Sequence, residues 1–282
     1  MVPEKDLSKY LVPGSDKTYY IPNFVSEDEE AYLLRKIQET PQNKWRQLAN
    51  RRLQTWGGDL TPKNTLIPQS MPPFLSSYPD IISRIEATGI FKDSPHRRPN
   101  HVILNEYLPG QGIMPHEDGP SYHPVVATLS LGSHAVFHYY RYQSSQPADD
   151  TSTEGETVST SGRGRIIDRT PALTILLEPR SLVITTSSLY TDHLHGIDNI
   201  TEDAFAAHSP RPYYSTNNGD GQSKSGSEDR VCVANVEMLE GEVEKRVVRE
   251  GGVLSRGTRY SLTCRDVGRV ASVGTGKIFG RR

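Results

Sequence analysis

Apolar positions recur along this chain with two different periods, and the change falls near residue 100. Before it the spacing is helical. Tyr32, Leu33, Leu34 and Ile37 follow Ser26 and Glu29, which stand at capping-box spacing, so a helix is predicted to begin at Ser26 and stop before Pro41. A short strand over residues 19–25 leads into it. A second helix is predicted from about residue 73 to residue 87, where Phe74, Leu75, Tyr78, Ile81, Ile82 and Ile85 supply an apolar stripe. Between the two lies residues 45–58, rich in Arg, Gln and Trp and closed by a Gly57-Gly58 turn.

Beyond residue 100 the period becomes that of strands. Extended segments are predicted over 101–107, 124–131, 135–142, 172–177, 181–186, 193–197, 230–235 and 258–265, with turn residues between them. Such a run of short strands predicts a sandwich or jelly roll. Two stretches, 143–164 and 209–229, are mostly Ser, Thr, Gly, Gln and acidic residues and are expected to be polar insertions between strands. The expectation is one domain over 1–282, mainly β (α+β), with an N-terminal helical flank at about 19–99 and a core at about 100–270.

Composition agrees with a turn-rich, strand-rich globule: Gly 23, Pro 20, and 14 Tyr against 6 Phe weigh against a helical bundle. A formal net charge of -2 provides no global basic field for nucleic acid, although a local patch would suffice. Cys232 and Cys264 are the two cysteines, too few for a disulfide framework or a zinc pattern. No apolar run suggests a leader or a membrane span. A monomer of the cytoplasm and nucleus, without membrane contact, is expected.

The chemistry is concentrated in a few positions. His116 and Asp118 stand at i and i+2, so on an extended segment both reach one ion while Glu117 points elsewhere. His195 lies downstream. Two histidines and a carboxylate make the facial triad of a non-heme Fe(II) oxygenase, which leaves adjacent positions open for a chelating co-substrate and dioxygen. His193 and His195 share a strand face; His195, between Leu194 and Gly196, is the better third ligand. On the last predicted strand Arg259, Ser261, Thr263 and Arg265 share one face, and two arginines inside a barrel need an anion such as 2-oxoglutarate. Asn105 and Tyr107 share a face and could contact the same co-substrate. Lys44, Trp45, Arg46, Arg51, Arg52, Trp56 and Lys63 form a basic, aromatic patch suited to holding phosphates and stacking a base, or else a lid whose tryptophans pack on the core.

Asn105-x-Tyr107, Pro109-Gly110, His116-x-Asp118, Ser130-Leu131-Gly132, His195-Gly196 and Arg259-x5-Arg265 together resemble the AlkB-type Fe(II)/2-oxoglutarate-dependent dioxygenases. The stretches 51–58 and 112–120 are similar to the sixth AlkB homologue subfamily. The resemblance implies a double-stranded β-helix (jelly-roll) core with an N-terminal lid. It implies iron at His116, Asp118 and His195, the distal 2-oxoglutarate carboxylate at Arg259, the keto-acid end at Asn105 and Arg265, and a pocket wall at Tyr107. Ser261 departs from the family, where AlkB carries Asn. Arg51, Arg52, Trp56 and Glu117 are the candidate substrate contacts. Methylated DNA or RNA is the expected substrate. The alternatives are a protein or small-molecule substrate, or a non-catalytic nucleic-acid-binding scaffold with a vestigial site.

Overall fold

The computed structural model describes residues 6–143, 165–207 and 230–272. The insertions expected at 143–164 and 209–229 therefore fall outside the described residues, apart from Gln143. In chain order the strands are β1 (Tyr19–Ile21), β2 (Arg46–Leu48), β3 (Arg51–Trp56), β4 (Gly58–Leu60), β5 (Leu66–Pro68), β6 (His101–Tyr107), β7 (Ile113–His116) and β8 (Tyr122–Leu131). There follow β9 (Ala135–Arg141), β10 (Leu173–Leu177), β11 (Leu182–Thr186), β12 (His193–Ile197), β13 (Glu202–Phe205), β14 (Gly252–Ser255) and β15 (Arg259–Val267). The helices are α1 (Glu27–Gln38), α2 (Pro73–Ser76), α3 (Ile81–Glu86), α4 (Ser188–Thr191) and α5 (Glu242–Glu250).

Two antiparallel sheets make the core. The larger runs β1-β11-β8-β15-β6-β3-β2 and the smaller β10-β9-β12-β7. This is a jelly roll, mainly β as expected. Strand alternation sorts the larger sheet into two chemically distinct faces. Val102, Leu104, Ala127, Leu129, Tyr260, Leu262 and Cys264 form the outer face and pack with Leu33 and Ile37 of α1, Leu75 of α2 and Ile81, Ile82 and Ile85 of α3. The helices cover that face because their apolar stripes have no other surface to bury. The inner face carries the polar partners of the same strands, among them Asn105, Ser261 and Arg259.

Helix α1 begins as its sequence requires. The Ser26 side chain accepts from the Glu29 N–H at 3.2 Å, and Glu29 Oε2 accepts from the Ser26 N–H at 2.9 Å. The single helix expected over 73–87 is instead two, α2 and α3. Pro79 has no N–H to donate and disfavours helical backbone at Tyr78. Asp80 then restarts the chain, its side chain accepting from the Ser83 N–H at 3.1 Å. The strand expected over 230–235 is reduced to one bridge, Val231 with Phe205. Asn235 ends it by bonding both the N–H and the carbonyl of Leu176 through its side-chain amide, while Val231 and Val233 pack into the second core cluster. The stretch over 45–58 forms the hairpin β2–β3, and β3 pairs with β6, so the N-terminal flank is continuous with the larger sheet across residue 100.

Candidate metal and co-substrate site

The site lies between the two sheets. Strands β7 and β12 pair antiparallel with His116 directly opposite His195, which brings the two imidazole centroids to 4.4 Å. The close approach depends on glycine: a Cβ at Gly112 would lie 2.2 Å from the Ile197 carbonyl oxygen. Asp118 arrives differently from the strand-phase expectation. β7 ends at His116, and Asp118 follows in the loop, where Arg265 donates a hydrogen bond to its Oδ1. Ligand atoms of His116, Asp118 and His195 all lie within 4.8 Å of one another.

The protonation states suit a cation. Burial, then the neighbouring His116, pushes His195 down to about 3, so its imidazole is neutral at physiological pH. Burial also lowers His116. Its Nδ1–H donates to the Met114 carbonyl at 2.9 Å, which fixes the tautomer and leaves Nε2 as the ligand atom. Burial works against ionised Asp118, but the charge of Arg265 and the hydrogen bond it donates outweigh that and hold the carboxyl below its usual range. Asp118 Oδ2 is buried with no hydrogen-bond partner among the described residues. Two neutral imidazoles, an ionised carboxylate and an orphaned carboxylate oxygen fit an Fe(II) ion.

Opposite them stands the inner face of β15. Arg259, Ser261, Thr263 and Arg265 all line the cavity, with Asn105 and Tyr107 from β6. The two arginines differ in one respect. Arg265 has Asp118 as a partner, whereas among the described residues Arg259 Nη2 donates only to Ser130 Oγ, at 2.8 Å, and its Nε has neither an acid nor any other partner. Burial pushes Arg259 down to about 10. An arginine 3% exposed without an acid costs several kcal/mol of the order expected for a buried ion, and an incoming carboxylate removes that cost. The residues present therefore fit a dianionic keto acid. The Tyr107 ring lies 5.7 Å from the Arg259 guanidinium, and Ser261 pairs across to Asn105.

The remaining candidates separate by strand phase. Arg51 faces the cavity, its Nε donating to Asn105 Oδ1 at 3.1 Å. Arg52 and Trp56 do not. Arg52 makes two 2.6 Å hydrogen bonds to Glu106 on the outer face and lies over the Trp45 ring, and Trp56 packs edge-on against Phe74. For these two, the packing alternative is the one the structure realises, because neighbouring residues on a strand point oppositely. Glu117 points away from the ligands and accepts from the Tyr142 hydroxyl at 2.6 Å. Sequence reasoning missed Phe137, stacked on His195 at 5.4 Å, and Thr128 and Thr185, which line the same cavity. The alternation of β8, β9 and β11 carried that signal.

His193 is engaged elsewhere. Its Nδ1–H donates to the Ser188 carbonyl at 2.9 Å and its Nε2 accepts from Arg141 at 3.3 Å. His195→Ala is therefore expected to cost far more metal than His193→Ala. Metal content of the two purified variants checks this, and the reverse order would assign the ligand to His193.

A family model described as the 2OG-Fe(II) oxygenase superfamily matches residues 17–265. A protein of Danio rerio described as "Probable RNA/DNA demethylase ALKBH6" is 36% identical over 266 residues, covering 94% of this chain and 92% of that protein. The "tRNA (carboxymethyluridine(34)-5-O)-methyltransferase ALKBH8" of Macaca fascicularis is 27% identical over 124 residues, covering 42% of this chain and 18% of that protein. Among solved structures, that of OsALKBH1 has a TM-score of 0.47 and 16% identity, covering 91% of this chain and 100% of that one.

Proposed function

The chain belongs to the 2OG-Fe(II) oxygenase superfamily, and from that premise we propose that this Fe(II)- and 2-oxoglutarate-dependent dioxygenase removes methyl groups from nucleic acid. The observation that carries the reading is the meeting of the His116, Asp118 and His195 cluster with Arg259, a buried cation lacking an acid. His116 Nε2, His195 and Asp118 would hold the metal, and Arg259 would pair with the distal carboxylate of the keto acid. Asn105 and Arg265 would hold its other end, with Tyr107 and Ser261 as walls. When bound, Fe(II) and 2-oxoglutarate supply the oxidation that hydroxylates an N-methyl group, whose product releases formaldehyde. The chain itself contributes placement and a sheltered cavity: Phe137 stacks on His195, and Val126 and Val183 line its sides.

Two findings support nucleic acid as the substrate. One is the description of the Danio rerio relative. The other is the inner face of β3 and β2, where Thr55 is exposed and Leu53 half-buried although Gln54, on the outer face, is buried. Arg46 and Arg51 lie on that open face beside the cavity. The test is mass spectrometry of methylated oligonucleotides with Fe(II) and 2-oxoglutarate. The expected result is loss of the methyl mass with succinate formed in step; turnover of methylated peptides but of no oligonucleotide would overturn the reading.

Strand phase makes a second prediction. Arg51→Ala is expected to weaken oligonucleotide binding and to reduce its salt dependence by roughly one phosphate contact. Arg52→Ala should leave binding unchanged and instead cost about 1–3 kcal/mol of stability, because it strands the buried Glu106. Anisotropy titrations across salt concentrations, with thermal melts, separate the two. Equal salt slopes for both variants would contradict the assignment.

A further inference from the structure

The loop from Glu117 to Ser121 carries Asp118 but lies outside every strand, between the end of β7 and the start of β8. A metal ligand on such a segment needs support from its surroundings, because that support sets the direction in which the ligand points. Side chains supply it. Arg265 holds the Asp118 carboxylate itself, and at the far end of the loop Ser121 Oγ donates to Asn64 Oδ1 at 2.8 Å. Between the two ligands His116 and Asp118 the tie is Glu117. The Tyr142 hydroxyl donates to its Oε1 at 2.6 Å, the short length of a charge-assisted bond, and Arg165 Nη2 donates to the same oxygen at 3.3 Å. The Arg165 guanidinium also lies 3.7 Å from the centre of the Tyr142 ring, so the ring that delivers the hydroxyl is itself held. Tyr142 follows the end of β9, and the smaller sheet runs β9-β12-β7. Glu117 and Tyr142 therefore join across β12, the strand of His195, over two strand spacings of roughly 4.8 Å each. Phe137 of β9, five residues before Tyr142, stacks on His195. Alternation turns Tyr142 to the opposite face, where Glu117 also points.

We propose that Glu117 is a positioning residue of the metal site, clasped by the Tyr142 hydroxyl and Arg165 across β12 so that His116 and Asp118 keep the spacing at which both reach one cation. This rests on the reading of His116, Asp118 and His195 as metal ligands. The clasp works from the back of the sheet. It touches no ligand, yet it fixes the residue that joins two of them against the strand next to the third. The Tyr142 hydroxyl should carry most of the effect, because Arg165 is largely exposed and pairs of that kind contribute little. Release of the clasp leaves all three ligand atoms in the chain but less often in register, so metal affinity falls without being abolished.

The experiment uses Glu117→Ala, Glu117→Gln, Tyr142→Phe and the double variant of Glu117→Ala with Tyr142→Phe, all in the full chain. Co(II) affinity is read by absorption titration without 2-oxoglutarate. Titrations run well below each variant's melting temperature, measured by circular dichroism, so that global stability does not enter. Glu117→Ala and Tyr142→Phe are each expected to bind Co(II) about 10-fold more weakly, the low end of what loss of a ligand's outer support costs. The double variant should be no weaker than the weaker single one, since both changes remove the same tie. Glu117→Gln should keep nearly full affinity, because its carbonyl oxygen accepts from the same hydroxyl. Unchanged affinity in Glu117→Ala or Tyr142→Phe overturns the proposal. So do losses that add in the double variant, a Glu117→Gln as weak as Glu117→Ala, or a single variant that fails to fold. His116→Ala run alongside distinguishes the two levels. If His116→Ala binds Co(II) normally, the metal-site reading fails. If it loses Co(II) while Glu117→Ala and Tyr142→Phe retain full affinity, only the role of Glu117 fails.

Discussion

Arg259→Ala is expected to weaken 2-oxoglutarate binding by at least about 30-fold, the lower end of what truncating one partner of a buried, hydrogen-bonded charge pair costs. The size follows from how the side chain is held. Arg259 is 3% exposed, donates to one neutral hydroxyl, and leaves Nε unpaired, so the free protein carries a desolvated charge with nothing to balance it. The distal carboxylate of the keto acid would supply the missing acceptor in a medium where charge–charge attraction is little screened. The same argument predicts what should not change. Removing an uncompensated buried charge relieves the free chain, so the melting temperature without ligand should hold or rise. Calorimetry with 2-oxoglutarate and a thermal melt read the two quantities, and unaltered affinity would refute the role of Arg259.

His116→Ala is expected to abolish stoichiometric Fe(II) binding and, with it, turnover. The loss should exceed the roughly 10–100-fold that removal of an outer partner costs, because a ligand atom itself is lost. His116 is the cleaner choice than Asp118. Asp118 also neutralises buried Arg265, and breaking a buried ion pair from one side costs about 3–5 kcal/mol. Asp118→Ala would therefore confound metal loss with unfolding, whereas His116 gives up one hydrogen bond to the Met114 carbonyl. Iron content of the purified, folded variant is the measurement. Retained stoichiometric iron in His116→Ala would remove it from the ligand set, and with it the paired-strand geometry on which the site rests.

Much of the fold was legible because strand alternation is local. The polar row Arg259, Ser261, Thr263 and Arg265 and the apolar row Tyr260, Leu262 and Cys264 are visible in one nine-residue strand, and they become the inner and outer faces of the larger sheet. The capping box at Ser26 and Glu29 was legible for the same reason. Where reading by period failed, a local breaker or a distant partner had intervened. Pro79 splits a continuous apolar stripe into α2 and α3, and Asn235 stops a strand-like run by bonding the backbone of Leu176. The basic and aromatic residues between Lys44 and Lys63 make one patch in the sequence, but alternation divides Arg51 from Arg52 and Trp56 once β3 joins β6.

The sequence by itself determined which residue types were available to hold a metal and an anion, and which strand faces they occupied, because side-chain chemistry and the period of two are properties of a few neighbouring residues. Only the tertiary structure decided that His116 stands directly across from His195, that Asp118 turns in from a loop beside Arg265, and that Arg259 is buried without an acid. Each of these depends on pairing between segments far apart in the chain. Such pairing is set by the competition of whole faces for burial, which no local pattern encodes.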